Sequence, residues 1–127
     1  MKKELWISFG LILISAFFDS FAAYVIKARF NVMGRIPSDS LSHVLAYMFS
    51  FLQSPLIILG IILFFSAPAL WFVALNRIDL TLAYPTVVGF HLFFIIFFGV
   101  CLLGEAMTLS RWISVGFLFI SLYFLYR

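Results

Sequence analysis

The sequence predicts an all-α integral membrane protein with four transmembrane helices and an amphipathic interfacial helix between the first and the second. Of the 127 residues, 65% are hydrophobic and only 10% are charged, whereas soluble domains carry about 25% charged residues. The mean hydropathy is +1.20. Four apolar segments also approach or exceed the roughly 20 residues that a helix needs to cross the hydrocarbon of a bilayer. We therefore expect lipid to be the solvent of this chain.

The first predicted span covers residues 5–26 and follows Lys2 and Lys3. A cleaved signal peptide has an apolar core of only about 7–15 residues, so we expect this span to be retained. Asp19 lies near its middle, in the stretch SAFFDSFAAY. An ionisable side chain at this depth costs at least ~2.5 kcal/mol to insert, and it indicates a function by default.

The residues around Asp19 are small, which allows another helix to approach closely and should place the acid against protein. They are Ser15, Ala16, Ser20, Ala22 and Ala23. Two interpretations remain open. Asp19 is either a neutral, hydrogen-bonded acid that only sets helix packing, or a group that alternates between protonated and ionised forms. The second interpretation provides a site for a proton or a cation.

The interfacial helix is predicted over residues 39–52, with Ser38 or Asp39 as its N-cap. Its apolar residues recur at the spacing of one helical face. They are Leu41, Val44, Leu45, Met48, Phe49 and Leu52. Because the segment is too short to cross the bilayer, we expect it to lie in the membrane interface. A loop helix tucked against the bundle is the alternative.

The second, third and fourth spans are predicted over residues 55–75, 80–103 and 111–126. The residues that can begin or cap these helices are Ser54 and Pro55 for the second, Asp79 for the third, and Thr108 or Ser110 for the fourth. Pro68 and Pro85 each remove a backbone hydrogen bond, so we expect kinks in the second and third spans.

Polar and aromatic side chains mark a candidate site within the second and third spans. His91 lies near the middle of the third span, and Tyr84 lies two turns earlier on the same face. His91 can pair with Asp19 as a proton relay or a charged substrate site, or it can be a neutral ring bonded to a carbonyl or hydroxyl group. Trp71 and Tyr84 either stack on a ligand or pack in the core. We expect Glu105 only to compensate Arg111.

Basic residues do not orient the chain, because four spans place four of them on each side of the membrane. One side carries Lys2, Lys3, Arg77 and Arg127, and the other carries Lys27, Arg29, Arg35 and Arg111. A balanced count is what a chain inserted in both orientations shows, so an antiparallel homodimer is one expected assembly. The net charge of +3 suits phosphate headgroups and does not indicate nucleic acid.

The part of the chain from the second span onward resembles the short, four-span members of the drug/metabolite transporter superfamily, which includes the EamA-like proteins. The stretch is ALNRIDLTLAYPTVVGFHLFFIIFFGVCLLGEAMTLSRW. The pattern consists of Arg77, Asp79, Ala83-Tyr84-Pro85, Gly104-Glu105 and Arg111-Trp112. This resemblance implies a transporter, and it does not by itself separate the subgroups of the superfamily.

Two subgroups fit different features. Asp19 stands eight residues before Lys27 in DSFAAYVIK, which resembles the essential glutamate and lysine of small multidrug resistance proteins. Those proteins form antiparallel homodimers that exchange protons for cations, but they lack the Tyr84-Pro85 pair and the long first connection. The latter two features are similar to those of aminoarabinose-lipid flippase subunits, in which an acid at the position of Asp19 is not typical. His91 matches neither subgroup.

The leading expectation is a transporter or flippase of the inner (plasma) membrane that moves an amphiphile. The best candidate for this substrate is a polyprenyl-phosphate or a lipid-linked sugar. Lys27, Arg29 and Arg35 would contact the phosphate. The polar side chains within the spans, Asp19, Tyr84 and His91, would carry the headgroup. The alternatives are a proton-coupled exporter of small cations and an accessory subunit of a membrane complex. The assembly would be a homodimer or a heterodimer with a related short transporter. Neither a catalytic constellation nor metal-ligand spacing is present, so we expect no enzyme, metal site or cofactor.

Overall fold

The computed structural model describes the backbone of residues 2–125 and the side chains of residues 4–124. Within that range the chain is helical and contains no strand. The elements are α1 (Lys2–Met33), α2 (Leu41–Leu52), α3 (Pro55–Leu75), α4 (Leu80–Phe97), a π-helical segment (Phe98–Leu102) that continues α4 and is named the π-turn below, and α5 (Leu109–Leu125).

Three helices are long and apolar enough to cross a membrane, as expected for a membrane protein. They are Glu4–Met33, Pro55–Leu75 and Leu80–Leu102. The apolar helix Leu109–Phe124 is shorter, and the Tyr126 end of the predicted fourth span lies outside the described residues. Helix α3 has the predicted bounds, with Pro55 in its first turn. Helices α3 and α4 both continue through their prolines.

Helix α1 extends seven residues beyond the predicted end of the first span. No glycine or proline interrupts residues 27–33, so the polar residues there continue the helix after the apolar run has ended. Gly34 stops it by adopting a φ of +79°, and its N–H donates to the Phe30 carbonyl at 2.9 Å. This is the left-handed C-terminal geometry that glycine adopts without a steric penalty.

Helix α2 begins at Leu41, and its N-cap is Ser40 rather than Ser38 or Asp39. The Ser40 hydroxyl accepts from the His43 N–H at 3.4 Å. The hydroxyl needs this spacing of three residues to reach a free N–H of the first turn. Several apolar side chains of the predicted apolar face, including Leu45 and Phe49, are exposed on the surface of the protein.

The core is formed around α1, which packs against both α3 and α4, whereas α5 packs against α4. Small residues dominate the contact surfaces. Ala16, Ala22, Ala67, Ala74 and Ala83 are all buried. Close approach of this kind replaces the hydrophobic effect as the source of helix association in lipid. Of the predicted small residues around Asp19, Ala23 is exposed and the other four are buried.

Candidate functional site

The structure brings Asp19 of α1 and His91 of α4 together. The Asp19 Oδ2 and His91 Nε2 atoms are 3.2 Å apart, and each residue lies near the middle of its apolar helix. The Nε2 atom is buried and forms no aligned hydrogen bond with the carboxylate or any other described group. The two side chains are thus in close contact without an aligned hydrogen bond, and a protonated imidazole at this distance would attract the carboxylate.

A cleft of about 290 Å³ opens beside the pair. Its walls come from α1, α3 and α4. The polar and aromatic lining residues are Ser15, Asp19, Phe64, Trp71, Tyr84 and His91, and the others are Ala67, Pro68, Val87 and Val88. The side chains of Asp19 and His91 retain 38% and 30% of their exposure, so a ligand in the cleft can contact both. Mostly apolar walls with a few convergent polar groups are typical of small-molecule sites.

Trp71 and Tyr84 form an aromatic wall on the same cleft. Their ring centroids lie 6.3 Å apart, and the planes cross at 67°. Trp71 comes from α3 and Tyr84 from the first turns of α4, which bring both rings toward the end of the bundle that carries Glu4. Aromatic faces attract cations and also cover apolar surface. All four residues predicted for the site thus line one cavity.

Ser15 joins the site, although the sequence pattern marked it only as a small residue. Its hydroxyl donates to the Ala67 carbonyl at 2.8 Å, immediately before Pro68. Pro68 has no N–H, so the Phe64 carbonyl lacks its usual helical donor. Both Phe64 and Pro68 line the cleft. The spacing of four residues from Asp19 is the signal that places Ser15 on the same face of α1.

The basic residues predicted to contact a phosphate do not share one pocket. Lys27 and Arg35 line a cavity of about 430 Å³ where α1 ends. Arg29 lines a separate cavity of about 200 Å³, and its guanidinium donates to the Ser50 carbonyl at 3.0 Å. Arg29 therefore anchors the last turn of α2, where a cation is electrostatically favourable.

Glu105 does not compensate Arg111 as predicted in the turn that follows the π-turn. The Arg111 guanidinium donates to the Ala106 carbonyl at 3.2 Å, while the Glu105 N–H donates to the Gly99 carbonyl at 2.9 Å. In the part of the chain that the structure describes, the two ion pairs are Arg77 with Glu4 and His91 with Asp19. Glu105 is thus turned toward the π-turn.

No protein-family model matches this chain, and no curated protein or solved structure matches it significantly. The cleft itself therefore carries the functional argument. Across residues 2–125, no three His, Cys, Asp or Glu side chains are grouped to hold a metal ion. The cleft offers a carboxyl group and an imidazole near the middle of their apolar helices, and the aromatic faces of Trp71 and Tyr84 nearer one end of the bundle. Such a set can bind a proton, a cation or a polar headgroup.

Proposed function

We propose that this chain is a membrane transporter that moves an amphiphilic substrate, and that it belongs to the drug/metabolite transporter superfamily. The contact between Asp19 and His91 carries this proposal. An acid and an imidazole in the middle of two apolar helices are costly to keep there, and such residues mark substrate or proton pathways in membrane proteins. Here both groups face a cleft large enough for a polar headgroup, which supports a transport role over a purely structural one.

The proposed arrangement in the membrane has four spans, with α5 as the fourth. Its 17 residues measure about 25 Å at 1.5 Å per residue, slightly less than the hydrocarbon thickness. Trp112 and Tyr123 lie near its two ends, where aromatic residues favour the headgroup region. Helix α2 would lie in the interface, since Leu41, Leu45 and Phe49 present an apolar surface to the outside.

The best candidate substrate is a polyprenyl-phosphate or a lipid-linked sugar. The cleft is too small to enclose a whole lipid, so the headgroup would occupy it while the chain stays in the bilayer. Lys27 and Arg35 share a cavity at the end of α1, where they would meet the phosphate before it enters the membrane. Arg29 already donates to Ser50, and its predicted phosphate contact is accordingly secondary.

A small organic cation is the second candidate, and the aromatic wall favours it. Trp71 and Tyr84 stand on the same cleft as the Asp19 carboxylate. A cation between them would gain both charge pairing and cation–π attraction, the latter worth roughly 0.5–2 kcal/mol. A proton and the cation would then occupy Asp19 in alternation, which couples the movement of one to the movement of the other.

The two candidates are tested with purified protein in liposomes. One assay follows the movement of a polyprenyl-phosphate between leaflets, and the other follows a cationic dye driven by a pH gradient. Asp19→Asn removes the charge with little change in shape, and Asp79→Asn is the matched control because Asp79 lies outside the cleft and its side chain forms no capping bond. We expect Asp19→Asn to lower the transport rate by about tenfold or more, equivalent to roughly 1.4 kcal/mol.

The result separates the candidates from each other and from an accessory role. Loss of lipid movement supports the amphiphile, and loss of dye movement alone supports the cation. A transport rate that is unchanged in Asp19→Asn contradicts the role given to the pair. If the purified protein moves neither substrate, and another membrane protein needs it for activity, the chain would instead be an accessory subunit.

A further inference from the structure

A further cavity lies between α1 and the π-turn, and we name it the second cavity because it lies beyond the Asp19–His91 pair from the cleft. It measures about 160 Å³, enough for several water molecules at about 30 Å³ each. Helices α1 and α4 run in the same direction, so their successive turns lie side by side. Ala23 and Ile95, which line this cavity, each follow one member of the pair by one turn. The pair therefore separates the cleft from this second cavity.

The second cavity contains a buried hydroxyl without a partner. Ser20 is 1% exposed, and its Oγ forms no hydrogen bond with any described residue. Buried hydroxyl groups in proteins are normally satisfied by protein or by ordered water. Ser20 directly follows Asp19 in α1 and lines the second cavity, which makes a water molecule there its natural partner.

Charged side chains line the outer part of the cavity. Lys27 follows Asp19 by two turns of α1, about 12 Å along the helix axis, and Glu105 lies opposite, after the π-turn. Gly99 allows this position, because a Cβ atom built on it would lie 3.1 Å from Glu105 Oε2. Tyr24 completes the polar lining. Three polar groups and Ser20 thus give water several hydrogen-bonding partners.

We propose that this second cavity is a hydrated vestibule through which protons reach the Asp19 carboxylate from the end of the bundle that carries Glu105. A proton arriving through the vestibule converts the carboxylate to a carboxylic acid, which removes its attraction for a protonated His91. Release of the same proton restores the charge. The titratable groups that face this path are Tyr24, Lys27, Glu105 and the His91 ring itself.

The use of the vestibule rests on the proposed transport function, whereas its hydration does not. A substrate in the cleft and a proton in the vestibule would reach Asp19 from opposite sides. The two would compete for one carboxyl group, which can hold either the proton or the substrate. Such competition is one element of coupled transport, beside the alternating access of the site to the two sides of the membrane.

Hydration is tested by cysteine reactivity in lipid nanodiscs, which leave both membrane faces accessible. Cys101 is first replaced by serine, and Ala23→Cys is then compared with Ala69→Cys. Both alanines are exposed and lie about one turn from the middle of their spans, but Ala69 lines none of the cavities described above. Because the thiolate is the reactive form and needs water, we expect a membrane-impermeant thiosulfonate to modify Ala23→Cys about tenfold faster.

A second matched pair protects the test against a variant that fails to fold. Ile95→Cys lies on the opposite wall of the vestibule, and Ile62→Cys is its lipid-facing control; the two isoleucines are 50% and 56% exposed. Glu105→Gln should also increase the rate of an anionic reagent at Ala23→Cys relative to a cationic one. Glu4→Gln, at the far end of the bundle, should leave this ratio unchanged.

Equal rates within both pairs would overturn the vestibule, even in a protein that transports. Fast modification of Ala23→Cys and Ile95→Cys would support it, even in a protein that moves no substrate. The test can thus overturn the proposed function while the vestibule stands, and it can overturn the vestibule while the proposed function stands.

Discussion

The Ser15 hydroxyl donates to the Ala67 carbonyl, and this 2.8 Å hydrogen bond joins α1 to α3 one turn from Asp19. Ser15 is only 4% exposed, so lipid and water both have little access to the bond. Its acceptor directly precedes Pro68, where the regular bonding of α3 is interrupted. The bond therefore holds the wall of the cleft at the position where the backbone of α3 is least supported by its own helix.

Ser15→Ala should destabilise the protein by about 0.6 kcal/mol and at most about 1.7 kcal/mol, the range of hydrogen bonds between membrane helices. Ser66→Ala is the matched control, because the Ser66 hydroxyl bonds to the Ile62 carbonyl within its own helix. Unfolding by denaturing detergent, followed by circular dichroism, measures both. Equal losses in the two variants would show that the bond between α1 and α3 contributes no special stability.

Gly60 should tolerate a methyl group but not a large side chain. A Cβ atom at this position would lie 3.6 Å from the Val25 side chain and 3.7 Å from the Ala22 Cα, which is ordinary van der Waals contact. We expect Gly60→Ala to be neutral or stabilising, since alanine favours a helix over glycine by up to about 1 kcal/mol. Gly60→Leu should separate α1 from α3 and cost about 1–3 kcal/mol.

The control for this series is Gly10→Leu, because a Cβ atom there meets nothing within 4 Å. The same detergent unfolding measurement applies to all three variants. If Gly10→Leu is as damaging as Gly60→Leu, the loss reflects the backbone of α1 rather than the close approach of the two helices.

Local signals in the sequence predicted some helix bounds well and others poorly. The start of α3 follows from Ser54 and Pro55, which favour a helix start at that point. The end of α1 was predicted at residue 26, where the apolar run ends, but the helix continues to Met33. Hydropathy reports where lipid contact ends, whereas a helix ends at a residue such as Gly34 that changes the backbone geometry.

The sequence predicted how deep the site residues lie along their helices, but it did not predict all the contacts that they make. The bounds of the apolar segments placed Asp19 and His91 near the middle of their helices, yet their contact depends on how α1 and α4 rotate against each other. That rotation is set by packing between residues far apart in sequence. The position of Glu105 depends on the π-turn, which adds a residue to one turn and changes the direction of the chain that follows. No simple sequence pattern predicts such a turn.

Helix α2 should have its Leu45 face in the apolar part of the interface. A nitroxide label at Leu45→Cys, in protein whose Cys101 is replaced by serine, should collide more with dissolved oxygen than with a polar nickel complex. His43→Cys is the control on the opposite face of the same helix, because His43 is exposed and a separation of two residues places it about 160° around the helix from Leu45. If both positions prefer the nickel complex, α2 lies in water rather than in the interface.

The two ion pairs of the described residues should differ in strength because only one lies at mid-depth. Arg77 and Glu4 meet at 2.8 Å with side chains 37% and 56% exposed, and exposed pairs contribute about 0.2–1 kcal/mol that salt weakens. The Asp19–His91 contact lies within the apolar spans, where salt ions are scarce. Its coupling should therefore persist at high salt.

Double-mutant cycles measure this difference directly. The cycle with Asp19→Asn and His91→Gln should give a coupling free energy of about 0.6–1.7 kcal/mol, the range found for polar contacts between membrane helices. This value should stay constant when salt is raised, whereas the cycle with Glu4→Gln and Arg77→Gln should fall toward zero. A zero coupling between Asp19 and His91 at every pH would mean that the two side chains are neighbours without an energetic interaction. The carboxylate would then have to meet its proton or substrate without help from the imidazole.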